Sequence, residues 1–290
     1  MTFYEFFVGP FAEFSFMRRA LVGAVALAIS AGPAGVFLML RRMSLTGDAM
    51  SHAILPGAAA GFLVSGLAIL PMTLGGLAAG LVVALLSGLV SRLTSQREDS
   101  SLAAFYLISL ALGVMLVSLR GSSVDLMHVL FGTVLALNGD ALVMIGVIAT
   151  VSLIGFATIW RPLVAECLDP GFLRSVSRAG QPVHLIFLGL VVLNLVGGFQ
   201  ALGTLLSVGL MILPAAAARF WARRLEGITL LAIGFGVISV YVGLLVSFHL
   251  NVASGPSIIL VAGAIYLISL VFGRRGVVFS RAQLTRHRVA

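Results

Sequence analysis

Arg41-Arg42-Met43-Ser44-Leu45-Thr46-Gly47-Asp48-Ala49-Met50-Ser51-His52-Ala53-Ile54-Leu55-Pro56-Gly57-Ala58-Ala59-Ala60-Gly61 opens an apolar segment with an acid and an imidazole four residues apart, followed by a proline. On a helix, positions i and i+4 share one face, so Asp48 and His52 present an oxygen and a nitrogen donor side by side. That is half of a metal site. Pro56 has no backbone N–H, so the carbonyl four residues earlier, that of His52, loses its helical partner and is expected to point at a cavity or an ion. Pro56-Gly57 therefore reads as a helix break at the site. Each residue also has a plainer reading: Asp48, after Gly47, as an N-cap, His52 as a buried hydrogen-bonded histidine, and Pro56 as a kink. Together they put two ionisable groups on one face of an apolar segment. A central charge there costs roughly 2.5 to 3.5 kcal/mol on insertion scales, so function is the default reading.

The surrounding chain is built for a bilayer. Of its 290 residues 60% are hydrophobic and only 10% charged, with a mean hydropathy of +1.15, whereas soluble domains carry about 25% charged residues. All 18 basic residues are arginines. Without a lysine the chain cannot be a P-loop ATPase by itself, so any ATP is handled by another subunit. The pI of about 11.2 does not indicate nucleic acid, because the arginines fall in short clusters between apolar runs, where they set topology. The single cysteine, Cys167, excludes an internal disulfide and a cysteine-rich metal centre, and reads as incidental. No basic n-region precedes Arg18, so no cleavable signal peptide is expected.

Residues 1 to 17 are aromatic but too interrupted to span, and read as an interfacial arm. Apolar runs of about the 20 residues needed to cross follow at 20 to 40, 48 to 69, 72 to 90, 101 to 119, 140 to 160, 183 to 199, 201 to 218, 228 to 248 and 257 to 273. The second and third runs, and the sixth and seventh, are joined by almost no loop and could be broken or re-entrant. Arginine clusters place the connections near 44, 95, 170 and 223 and the basic tail, 274 to 290, on the cytoplasmic side. Those near 70, 125, 200 and 250 then lie outside with the arm. Asp125, His128, Asp140 and His249 read as outer-side residues and His184 as an inner-end residue, each solvated or interfacial.

The longest internal connection, 161 to 182, carries Asp169-Pro170, then Phe172, Leu173 and Val176, and Gly180. Asp as N-cap, Pro at N1 and Gly as terminator spell a short helix whose apolar stripe would dock on a partner. The run ending Leu213-Pro214-Ala215-Ala216-Ala217-Ala218-Arg219 is rich in small residues that allow close packing, and Pro214 is expected to break it.

Arg42-Met43-Ser44-Leu45, Gly47-Asp48-Ala49 and Ser51-His52-Ala53-Ile54-Leu55-Pro56-Gly57 resemble the signature of the membrane permease of bacterial zinc/manganese/iron ABC uptake systems. Leu130-Phe131-Gly132, the loop from Asp169 to Gly180 and Gly203-Thr204-Leu205-Leu206 through Ala218 are similar to the family's later blocks. The resemblance implies an all-α polytopic membrane protein: one permease domain over 1–290, with eight or nine transmembrane helices, like a type II ABC importer. It implies Asp48 and His52 as metal ligands, and Asp169, Pro170, Phe172, Leu173 and Val176 as the coupling helix on the ATPase. Partners would be a second copy of this chain, two ATP-binding subunits and an extracytoplasmic metal-binding protein, in the bacterial inner membrane. No cofactor is expected. Two copies about a two-fold axis would make an N2O2 site, which suits zinc; manganese or iron(II) could use the same ligands plus water. A zinc hydrolase would want three ligands and a base such as HExxH, which is absent. A passive channel would not need a docking helix, and cobalamin or iron-chelate permeases have no reason to bury an acid with a histidine.

Overall fold

The computed structural model describes residues 3–66, 68–96, 98–118, 137–169, 173 and 180–278, and every regular element among them is an α-helix. Two short helices, α1 (Phe3–Phe7) and α2 (Gly9–Glu13), lead into α3 (Ser15–Leu40). Then come α4 (Ser44–Ala53), α5 (Leu55–Ser65), α6 (Ile69–Leu93), α7 (Glu98–Ser118) and α8 (Gly139–Leu168). The chain closes with α9 (Gly180–Leu202), α10 (Thr204–Ala218), α11 (Leu225–Leu250) and α12 (Ser254–Phe272).

Seven of these, α3, α6, α7, α8, α9, α11 and α12, are long and apolar enough to cross a bilayer. The nine apolar runs thus resolve into seven long helices and two exceptions. The run at 48 to 69 is the broken pair α4–α5, and the run at 201 to 218 is the 15-residue α10. Hydropathy alone counts apolar residues and is blind to where the helix axis is interrupted. Pro214 does not break α10, which continues to Ala218.

α3 and α9 form the centre: 72% and 67% of their most apolar windows are buried, against 22% in α7 and 28% in α12. α3 packs on α8, α9, α10 and α11, and α9 on α6 and α8. Phe37 of α3, Phe156 and Trp160 of α8 and Phe187 of α9 fill this centre as an aromatic cluster. The peripheral helices turn Val82, Leu85, Leu107, Ile108, Leu112, Val147, Ile154 and Leu260 outward, an apolar belt suited to lipid.

Local bonds tie neighbouring helix ends together: Ser101 Oγ donates to the Ser87 carbonyl between α6 and α7, and the Arg275 N–H to the Phe220 carbonyl. The N-terminal helices are docked on α11, where Tyr241 donates its hydroxyl proton to the Phe7 carbonyl and the His249 ring stacks on Phe6. The arm is thus packed on protein, with Gly9, Pro10 and Phe11 buried.

Candidate metal site and its supports

α3 ends at Arg41 in a tight reversal. The Arg42 N–H donates to the Met39 carbonyl and the Met43 N–H to the Leu38 carbonyl, with Arg42 left-handed at φ 60. This double bond pattern satisfies the last carbonyls of a helix, usually around a glycine. α4 starts at once, with Met43 as a cap that offers no side-chain bond. Asp48 is therefore interior to α4 and not its N-cap, which removes the capping reading. Asp48 is exposed on the protomer surface, with Leu45 and Val64 of the same segment at 83% and 86% exposure. His52, one turn on, is half-buried beside Tyr106, ring centroids 6.3 Å apart. Its Nδ1 is buried and without a hydrogen-bond partner.

The break falls at Ile54, between α4 and α5, with Pro56 in the first turn of α5. The His52 carbonyl is not bare, as the proline alone suggests: the Ile54 N–H reaches back to it. The Ala53 carbonyl accepts from Ser109 Oγ of α7 at 2.9 Å, and Gly113, one turn along α7, leaves room for Leu55 and Pro56. Gly57 lies beyond the break, where it makes room for the close approach of α6 at Gly75. Pro56→Ala restores an N–H that competes for the His52 carbonyl and straightens the joint. Its expected result is reduced metal uptake by the reconstituted transporter with equal or raised thermal stability; unchanged uptake would leave the proline an ordinary kink.

Among the described residues no group of three or more His, Cys, Asp or Glu side chains gathers anywhere. One protomer offers the pair alone. In the connection after α8, the Leu173 N–H donates to the Asp169 carbonyl at 3.2 Å and Leu173 is buried. Pro170, Phe172 and Val176 lie outside the described residues, as do His128 and the Leu130-Phe131-Gly132 block.

Reading by sequence missed Ser109, Gly113 and the partners of Arg41, and it misjudged His184, which is buried and not solvated. The Arg41 guanidinium bonds Glu166 Oε1 at 2.7 Å, with both side chains about nine-tenths buried. It also donates to Nδ1 of His184, which is 8% exposed, and Cys167 borders the same guanidinium. A signal was present: Glu166 is the only acid between Asp140 and Asp169, at the end of an apolar run. Buried acids need a partner.

A bundle of apolar helices with an acid and an imidazole on a broken helix fits the class of membrane permeases. The profile of the ABC 3 transport family matches residues 13–273, and the chain belongs to that family. It is 35% identical over 264 residues to the "Manganese import system permease protein ScaB" of Streptococcus parasanguinis, covering 91% of this chain and 92% of that one. It is 34% identical over 283 residues to the "Manganese transport system membrane protein MntC" of Halalkalibacterium halodurans, covering 97% and 95%. The solved structure "PsaBC from Streptococcus pneumoniae in complex with Fab" matches with a TM-score of 0.83 at 30% identity, over 96% of this chain and 98% of that one. The chain is accordingly a multi-pass permease subunit of the bacterial inner membrane, not an enzyme, and the ABC architecture implies a separate ATP-binding subunit.

Proposed function

We propose that this chain is the permease of an importer for a divalent transition metal, manganese before zinc or iron(II). The observation that carries the reading is Asp48: an acid on the exposed face of a broken helix, one turn from a half-buried histidine. A carboxylate left against lipid is costly, so that face calls for a second copy of the chain. Two copies related by a two-fold axis contribute two carboxylates and two imidazoles to one site. The four ligands suit a tetrahedral zinc, and with added water or carboxylate oxygens they suit manganese equally. Donor chemistry does not separate the metals; the relatives named for manganese favour it, which reverses the order expected from ligand count.

In this reading α10 and the α4–α5 pair complete nine crossings of a type II importer. The partners are two ATP-binding subunits and an extracytoplasmic metal-binding protein, with the connection through Asp169, Pro170, Phe172, Leu173 and Val176 resting on the ATPase. ATP-driven movement there switches the cavity between outward and inward states. Residues 1–17 serve as the outer arm and 274–290 as the basic inner tail. The test is uptake of labelled manganese and labelled zinc by the complete transporter in vesicles, each competed with the other. Manganese is expected to accumulate on ATP addition and to resist an equal concentration of zinc. Accumulation of zinc alone would restore zinc to first place, and accumulation of neither would overturn the metal reading.

A further inference from the structure

The guanidinium of Arg41 sits where three chain segments meet. Arg41 caps the C-terminus of α3 and opens the turn from which α4 springs, seven residues before Asp48. Glu166 lies three residues before Asp169, where the connection to α9 begins, and His184 lies four residues after that connection ends at Gly180. One side chain therefore holds both stems of the connection: Glu166 through a 2.7 Å ion pair, and His184 through an N–H donated to Nδ1. Phe187, one turn further along α9, lies under the same cation at 5.2 Å from the ring centroid.

The chemistry suits a rigid joint. Arginine is donor-only, so His184 Nδ1 is the acceptor in this contact. A planar fork reaches two acceptors and a ring face at once, which a lysine ammonium cannot do in the same geometry. The backbone on the other side of Arg41 is equally fixed, because the Arg42 and Met43 N–H groups close the reversal onto α3. Glu166 Oε2 is buried with no partner among the described residues, so Arg41 is the charge that keeps this carboxylate in place.

We infer that Arg41 is a positioning residue of the transport cycle: it ties both stems of the 169–180 connection to the turn that launches α4, so that movement at that connection reaches Asp48 and His52. This rests on the reading that the ATPase docks on that connection. Bundle packing alone would spread such a movement over many apolar contacts, whereas a buried, directional cation couples the two stems to a single turn.

The experiment measures metal taken up per ATP hydrolysed by the complete transporter in vesicles, together with metal binding and thermal midpoint of the detergent-purified complex. Glu166→Gln keeps shape and removes the charge; His184→Ala removes the acceptor. Each is expected to lower uptake per ATP about tenfold, with metal binding intact and hydrolysis continuing. Arg41→Lys should fall short in the same way, since one ammonium cannot replace the fork. Parental uptake per ATP in both Glu166→Gln and His184→Ala overturns the inference, and so does a parallel loss of uptake, hydrolysis and thermal midpoint, the mark of a purely structural joint. Phe172→Asp is run alongside: normal coupling in that variant overturns the docking reading, while uncoupling there with parental uptake per ATP in both Glu166→Gln and His184→Ala overturns only the role of Arg41.

Discussion

Metal uptake by Asp48→Asn is expected to fall more than about a hundredfold, because loss of even an outer-shell partner costs about 10- to 100-fold in metal affinity and Asp48 is proposed as a ligand. The substitution is close to isosteric. Asp48 caps nothing, since α4 begins at Ser44 and Asp48 lies inside the helix, so no stability term of the capping kind is lost. The side chain is exposed on the protomer, so no buried partner is stranded either. What remains is charge: with both copies neutralised, a dication would face two imidazoles and no anion. His52→Ala removes the nitrogens instead and should reduce uptake as severely, though it also opens space beside Tyr106. The measurement is uptake of labelled manganese by vesicles holding the complete transporter, with each variant checked for assembly. Parental uptake in both variants would make this stretch structural and end the metal-site reading.

The pair itself was legible because a helix period and two donor types are sequence properties. Its supports were not. Ser109 reads as a small residue of an apolar run, and only the fold brings its hydroxyl to the Ala53 carbonyl 56 residues away. Arg41 shares its composition and flanking position with arginines that stay in water, such as Arg42 beside it; what separates them is that Arg41 turns inward to Glu166, 125 positions on. The apolar runs were visible as lengths of hydrophobic sequence, yet the split of 48 to 69 at Ile54 depends on α7 accepting the break through Ser109 and Gly113. Pro214 shows the converse. The same residue type that sits at a break after His52 runs inside an intact α10, because proline removes a bond without dictating whether the neighbours let the axis bend. Gly57, next to the break, was read with Pro56 as part of it, although its work is at a helix crossing.

That crossing yields the second large effect. Gly57 and Gly61 on α5 lie against Gly75 and Pro71 on α6, so closely that a methyl at Gly57 would overlap the Gly75 carbonyl oxygen and one at Gly75 would overlap that of Gly57. Four-residue spacing of small residues is the pattern that lets membrane helices approach backbone to backbone. Helix propensity alone favours Gly→Ala by about 1 kcal/mol, while overpacking costs about 1–3 kcal/mol and more where rigid backbone must move. Because the clashing atoms are main chain on both sides, the cost should win: Gly57→Ala and Gly75→Ala are expected to lower the thermal midpoint of the purified permease. Uptake should drop with it, since α5 carries Pro56 and any displacement reaches the break. Gly88, on the same α6, has no atom within 4 Å of where its Cβ would be, so Gly88→Ala should leave the midpoint unchanged or raise it. Equal behaviour of Gly75→Ala and Gly88→Ala would show that propensity, and not the crossing, governs these glycines.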